Sequence, residues 1–371
     1  MIRVFEPWTS PSDVLEVNKA LIKKQISGSS TYIGKLEEKF TQFIGMKYGI
    51  AVSNGSVALD LALQTLDLDE NDEIILPSFS IISCLSSIIR TGAKPVFSDV
   101  DKKTWNITLD EIKKLKSSRT KGVLVVHTYG LPAEIDEISK YCKENDLFLI
   151  EDTAEAHGIK IGNKYCGSYG DLSTFSFYAN KHITSGEGGM ILTNNKDFYK
   201  KIIQMRNLDF KASNRFVHDN FYWNYRISGL QAALAFSQID NVEKIIKKKQ
   251  QQARVYNDLF KNNAEIITPE KSFREIKNNY WVYGIVLKED GIRDELMESL
   301  YKKNIETRPF FWPLHLQPAY REQVSEDISP LPVSENLGKN GLYLPMGAHI
   351  NRKIQTKIVK SIENTLAEIT K

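Results

Sequence analysis

The 371-residue chain is short of several features that would assign it at once. It has three cysteines, Cys84, Cys142 and Cys166, an odd number without metal-ligand spacing. That excludes a disulfide scaffold and a zinc cluster, and it suits reduced thiols. No run of roughly 18 apolar residues is present to cross a bilayer, and the opening MIRVFEPWTSPSD lacks the apolar core of a signal peptide. A soluble, cytoplasmic protein without a membrane partner is expected. Charge of one sign is scarce too: 49 basic against 46 acidic side chains leave +3, too little for a nucleic-acid partner. The lysine-rich KIIKKKQQQAR at 244–254 reads as the wet face of a helix. Repeats and low-complexity tracts are absent.

What is present is an alternation of short apolar runs with helical periodicity from about residue 50. EIILP (73–77), KPVFSDV (94–100), GVLVVH (122–127) and LFLIED (147–152) read as strands buried on both faces. Helix-length segments such as 108–117 and 134–145 separate them. This predicts an α/β domain with a mostly parallel sheet. A helical tract over about 226–261 leads to a fresh strand, WVYGIVL (281–287), and to helices at about 291–303 and 351–369. Two domains are expected, 1–250 holding the N-terminal segment and the larger domain, and 251–371 the smaller one.

Ligands of such sheets gather at the carboxyl ends of the strands. Four polar clusters fall there: NGS (54–56), HTYG (127–130), EDTAEAHG (151–158) and FSFYANKHITSGEGGM (175–190). Asn-Gly-Ser before an amphipathic helix offers backbone N–H groups and the Ser56 hydroxyl to a phosphate, although Asn and Ser there are also ordinary helix caps. Asp152, ending a buried strand, needs a cation or several donors. It reads either as a cap or salt bridge, or as the acid that keeps a pyridine nitrogen protonated. Lys181, four residues beyond a strand-like FSF, reads as a loop lysine or as a Schiff-base nucleophile whose amine is depressed by burial. The GEGG run lacks the order of a P-loop. A phosphate site, a pyridinium acid and a Schiff-base lysine together describe pyridoxal phosphate.

NGS-x-AL, PSFS, KPVFSDVD, HTYG, EDTAEAHG, GSYGD, FSFYANKHITSGEGGM, NYRISGLQAALAFSQID and ETRPFFWPLH, in this order, resemble the DegT-type nucleotide-sugar aminotransferases over practically the whole chain. The Glu of EDTAEAHG, the NK of YANK and the NYR segment are most similar to the GDP-perosamine synthase branch, which aminates C4 of a 4-keto-6-deoxyhexose. The resemblance implies an aspartate-aminotransferase-like fold, pyridoxal phosphate with its pyridoxamine form, and a homodimer with shared sites. It makes Lys181 the cofactor-binding lysine and Asp152 the partner of the ring nitrogen. Glu155 would stand by the 3-hydroxyl, Gly55, Ser56 and Ser176 would hold the phosphate, and Asn224 would reach it from the other subunit. Arg308 and His315 resemble substrate-side positions. At Ile81 the family usually has an aromatic that stacks on the ring, so stacking is lost here.

The reaction implied moves an amino group from an amino acid, glutamate, to a keto sugar nucleotide by a ping-pong route. Two other readings stay open. A 3-dehydratase shares nearly every motif but carries histidine at the lysine position, often as a His-His pair; here Lys181 precedes His182, which reads as a packed neighbour. A non-catalytic protein could also have kept the fold. His127 and His157, at strand ends, could border the pocket, whereas His218 and His349 carry no signal.

Overall fold

The structure, a computed structural model, describes residues 1–211, 213–323 and 329–369. Its centre is a seven-stranded sheet of β1 (Tyr48–Val52), β2 (Glu73–Pro77), β3 (Lys94–Ser98), β4 (Thr120–Val126), β5 (Phe148–Asp152), β6 (Leu172–Ser176) and β7 (Gly189–Thr193). The spatial order is β1-β7-β6-β5-β4-β2-β3. β7 runs antiparallel to both β1 and β6, and every other pairing is parallel. The α/β reading with a mostly parallel sheet is therefore correct.

Two apolar layers explain why these strands read as continuous hydrophobic runs. Ile74, Leu76, Leu124, Val126 and Ile150 pack with the helices Gly55–Gln64 and Ile82–Ile89. Ile75, Val123, Val125 and Leu149 pack on the other face with the helix Ile135–Glu144. Alternate residues of one strand thus enter two cores, and neither face is left polar.

The helical tract expected over 226–261 is two helices, Gly229–Gln238 and Val242–Phe260, joined by a 3-10 turn at Ile239–Asn241. Asp240 and Asn241 fall in that turn, residues whose side chains compete with the helical backbone. A four-stranded antiparallel sheet follows, ordered Ile266–Ile267, Tyr283–Leu287, Gly341–Leu344 and Arg308–Pro309. It shares a core with Val242–Phe260 and Arg352–Ile369. The first residues join this C-terminal part, because Phe5–Glu6 pair in parallel with Met346–Gly347 and Ile2 bridges Ile305. Among the described residues no helix is long and apolar enough to cross a membrane.

The topology places the site. With β7 reversed, its first residue Gly189 stands opposite both Val52 of β1 and Ser176 of β6. The end of GEGG, the NGS turn, the Asp152 end of β5 and the loop carrying Lys181 therefore meet along one sheet edge.

Candidate active site

A cavity of about 430 Å³ opens at that edge, and Gly55, Ser56, Ile81, Asp152, Glu155, Ser176 and Lys181 all line it. At one end the helix Gly55–Gln64 begins. Asn54 caps it by accepting from the Val57 N–H at 2.9 Å, so the first two amides remain for a ligand. A Cβ on Gly55 would stand 2.8 Å from Ser176 Cβ, which is why only glycine lets the two segments approach so closely. The Ser56 and Ser83 hydroxyls are 2.6 Å apart at the same end. These hydroxyls and the helix N-terminus make a cradle for a phosphate dianion.

Asp152 lines the same cavity. Its Oδ1 accepts from the Ala154 N–H at 3.0 Å, and its Oδ2 has the Cys84 thiol as a weak donor at 3.6 Å. Burial pushes this carboxyl up, and the Ala154 amide, Lys181 and Cys84 only partly oppose that. A buried carboxylate so thinly partnered fits a protonated ring nitrogen, the cation that pyridoxal phosphate would place there. The cofactor therefore fits at both ends of the cavity.

The Lys181 side chain is 8% exposed and its Nζ lies 3.7 Å from Glu155 Oε1. Burial pushes this amine down, while Glu155 and Asp152 pull the other way. Glu155 is itself raised to about 7, chiefly by burial, with Lys181 opposing. Its Oε2 accepts from the Tyr129 amide at 2.9 Å. Tyr129 adopts a left-handed backbone (φ 54°) in the turn of the HTYG motif. Ile81 caps the helix Ile82–Ile89 and stands 40% exposed at the cavity.

Three residues singled out from the sequence lie elsewhere in this chain. Asn224 is exposed and its side chain accepts from the Arg226 amide, away from the cavity. Arg308 is exposed and pairs with Glu306 at 2.7 Å. His315 is buried, with Nδ1 2.6 Å from the Ser78 hydroxyl and Nε2 3.4 Å from Glu335. Nor does either strand-end histidine line the cavity. His127 Nδ1 accepts from the Ala133 amide, so its proton sits on Nε2, directed at Glu151 at 2.9 Å. Glu151 also accepts from the amides of Gly167, Tyr169 and Gly170. Buried Cys166 lies beside this His-Glu pair, but carboxylate and imidazole are already occupied as a structural strut. His157 accepts from the Ile183 amide, and His182 bonds the Asn279 carbonyl at 3.1 Å as a packed neighbour of the loop.

Sequence reasoning missed Ser83, Cys84, Trp281 and Lys249. Lys249 lies within the lysine-rich segment read as wet, yet it is 4% exposed and donates to the Trp281 carbonyl at 2.7 Å. A signal existed: Val242, Ile245, Lys249, Ala253, Tyr256 and Phe260 form the buried stripe of their helix at spacings of three and four.

A family model described as the DegT/DnrJ/EryC1/StrS aminotransferase family matches residues 9–363. The chain is 36% identical over 361 residues to GDP-perosamine synthase of Escherichia coli O157:H7, covering 97% of each. It is 35% identical over 347 residues to GDP-perosamine synthase of Vibrio cholerae, covering 93% of this chain and 94% of that one. Among solved structures, Helicobacter pylori PseC, an aminotransferase involved in the biosynthesis of pseudoaminic acid, has a TM-score of 0.91 at 25% identity, with 99% of each chain covered. An E. coli GDP-4-keto-6-deoxy-D-mannose-3-dehydratase with bound hydrated PLP shares the fold, with a TM-score of 0.87 at 24% identity over 98% of this chain and all of that one.

Proposed function

Because the chain belongs to the DegT/DnrJ/EryC1/StrS aminotransferase family, whose members depend on pyridoxal phosphate, we propose that it moves an amino group from glutamate to C4 of a nucleotide-linked 4-keto-6-deoxyhexose. The product would serve surface-polysaccharide synthesis in the cytoplasm. The observation that carries the reading is one amine, that of Lys181, buried at a cavity that a helix N-terminus with two hydroxyls and a buried aspartate also line. GDP-perosamine synthases among the relatives support the sugar class.

The chain's own groups then have separate tasks. Gly55, Ser56, Ser83 and Ser176 would hold the phosphate, and Asp152 would keep the proton on the ring nitrogen. When bound, the cofactor supplies an electron-withdrawing ring that accepts the electron pair freed at the donor's α-carbon. Lys181 Nζ, buried at the same cavity, would be the group to take the proton lost from the donor's α-carbon and hold it for return. Burial favours this, since an amine already pushed down is a free base at lower pH. Glu155 stands beside the amine with an acid near neutrality. The dehydratase reading is set aside, because Lys181 occupies the position where that reaction uses histidine.

A homodimer belongs to the same proposal. Phe216, Phe221 and Trp223 are 76%, 103% and 68% exposed in the segment before Asn224. Apolar exposure of this density marks a contact surface, and a second copy covering it would bring Asn224 toward a phosphate cradle. Arg308 and His315 are proposed only as substrate-side residues.

The test is incubation with glutamate and a panel of 4-keto-6-deoxy and 3-keto sugar nucleotides, with mass spectrometry of the products. An amine at C4 of one of them is expected. No amination of any member, or loss of the C3 hydroxyl instead, refutes the proposal.

A further inference from the structure

The roles above leave Trp281 and Lys249 without a part. Lys181 Nζ lies 3.6 Å from the centre of the Trp281 ring, about as close as it lies to Glu155 at 3.7 Å. Trp281 is fixed at two points, one on its ring and one on its backbone. Its Nε1–H donates to Asn180 Oδ1 at 3.2 Å, one residue before Lys181. Its carbonyl takes the Lys249 ammonium at 2.7 Å. The preceding residues are tied down as well: the Tyr280 amide donates to Asn278 Oδ1 at 2.7 Å, and the Asn279 carbonyl pairs with His182 at 3.1 Å. Segment 278–281 and loop 180–182 are therefore one stitched unit, although they are about 100 residues apart in the chain. A buried lysine is a costly donor for a single carbonyl. Its presence on the apolar stripe of its helix points to a demand on Trp281 that stability alone does not make.

We propose that Trp281, held in place by Lys249 and Asn180, is the face against which the Lys181 amine rests whenever it is not bonded to the cofactor, and that this face favours its protonated form during proton transfer. Both Trp281 and Lys249 are then positioning residues. The inference rests on Lys181 being the amine of the function proposed above. An ammonium over an indole is drawn to the ring's negative face, more strongly where water is excluded; a neutral amine gains less. The ring so counters the burial that pushes Lys181 down. Other groups act on the same amine: Asp152, the last residue of β5, and Glu155 beyond it favour its charge, whereas Lys249, His157 and His182 would oppose it when protonated.

The test uses full-length protein freed of cofactor. Trinitrobenzenesulfonate labelling is followed over a pH series, and the label on the Lys181 peptide is quantified by mass spectrometry. Trp281→Leu and Trp281→Met both remove the aromatic face while keeping an apolar side chain, and each is expected to lower the labelling midpoint of Lys181 by about 0.5 to 1.5 pH units. Lys249→Met should slow the half-reaction with the amino donor at unchanged donor affinity, and Lys249→Arg, which keeps a donor, should restore part of the rate. An unchanged midpoint in whichever tryptophan variant folds and still fixes one equivalent of cofactor on Lys181 with borohydride overturns the inference. Cofactor fixed on another lysine overturns the proposed function beneath it.

Discussion

Replacing Lys249 by methionine separates the demands of stability from those of the site. Burial, with the like charge of Lys181 added, pushes the Lys249 amine from 10.5 down to about 7. In the unfolded chain the same amine titrates near its ordinary value, so between pH 7 and 10.5 the unfolded state binds one proton more than the native state. Stability therefore rises with pH through this window. Below pH 7 both states are charged, and the native one bears the whole burial cost. A displacement of about 3.5 on the pH scale corresponds to about 5 kcal/mol. Methionine has nearly the same length and no charge, so Lys249→Met removes that cost. It also leaves the Trp281 carbonyl unpaired, a loss of about 1–3 kcal/mol.

The two terms leave the variant about 2–4 kcal/mol more stable at pH 6. Near pH 10 the amine of the parent is neutral and the benefit is almost gone, so the variant should be the less stable of the two by about 1 kcal/mol. The comparison is urea unfolding of cofactor-free protein at pH 6, 8 and 10, followed by circular dichroism at one fixed concentration, since association contributes to the midpoint. The sign of the difference should reverse within that range. A difference that stays constant with pH would show that Lys249 is not titrating in the window and would refute the argument.

Glu155→Gln probes the opposite case. Its folded value of about 7 lies above the ordinary 4.5, so its contribution is fully present below pH 4.5 and is lost as pH climbs to 7. That amounts to about 3 kcal/mol, and thermal scans of the variant should lack this slope while the parent shows it. Gly55→Ala drives a Cβ to 2.8 Å from Ser176 Cβ; equilibrium dialysis should find cofactor affinity reduced about tenfold or more, and parental affinity would mean that the phosphate is held elsewhere.

The parallel strands could be read because their burial on both faces leaves few polar residues to break the run, and their carboxyl ends then marked Asp152 and the NGS turn. Lys181 could be placed at the cavity because it follows the strand-like FSF by four residues and precedes a glycine run, so its loop lies at the same sheet edge. Neither argument extends to contacts made across the chain. Trp281 is 100 residues from Lys181, and only the folded path of residues 278–281 brings its ring there. Lys249 was hidden by its neighbours Lys247 and Lys248, since a charge run masks the one member that falls on the apolar stripe. The reversal of β7 carries no pattern of its own, because a strand buried on both faces looks the same in either direction. His315, in a motif that drew attention, is buried against Ser78 and Glu335 in this chain, contacts that its local sequence does not announce.

Around Lys181 the environment moves acids and bases toward each other. Burial raises Glu155 to about 7 and lowers Lys181, and the two stand 3.7 Å apart. In water a carboxylic acid and an ammonium differ by about six on the pH scale, so a proton would lie firmly on the amine. Here the gap is narrower, and moving the proton off Lys181 costs less, which is what the role proposed for Lys181, taking and giving a proton within one turnover, would need. Asp152, also buried at the cavity, is the carboxylate proposed for the ring nitrogen, and a cation there would hold it ionised. The Trp281 face adds to the protonated side of the balance at Lys181, so the amine does not become so weak a base that it fails to take the proton at all. Opening the cavity to water would widen the gap again. The apolar wall made by Trp281 and Phe311 at the cavity therefore belongs to the acid–base chemistry as much as the two charged groups do.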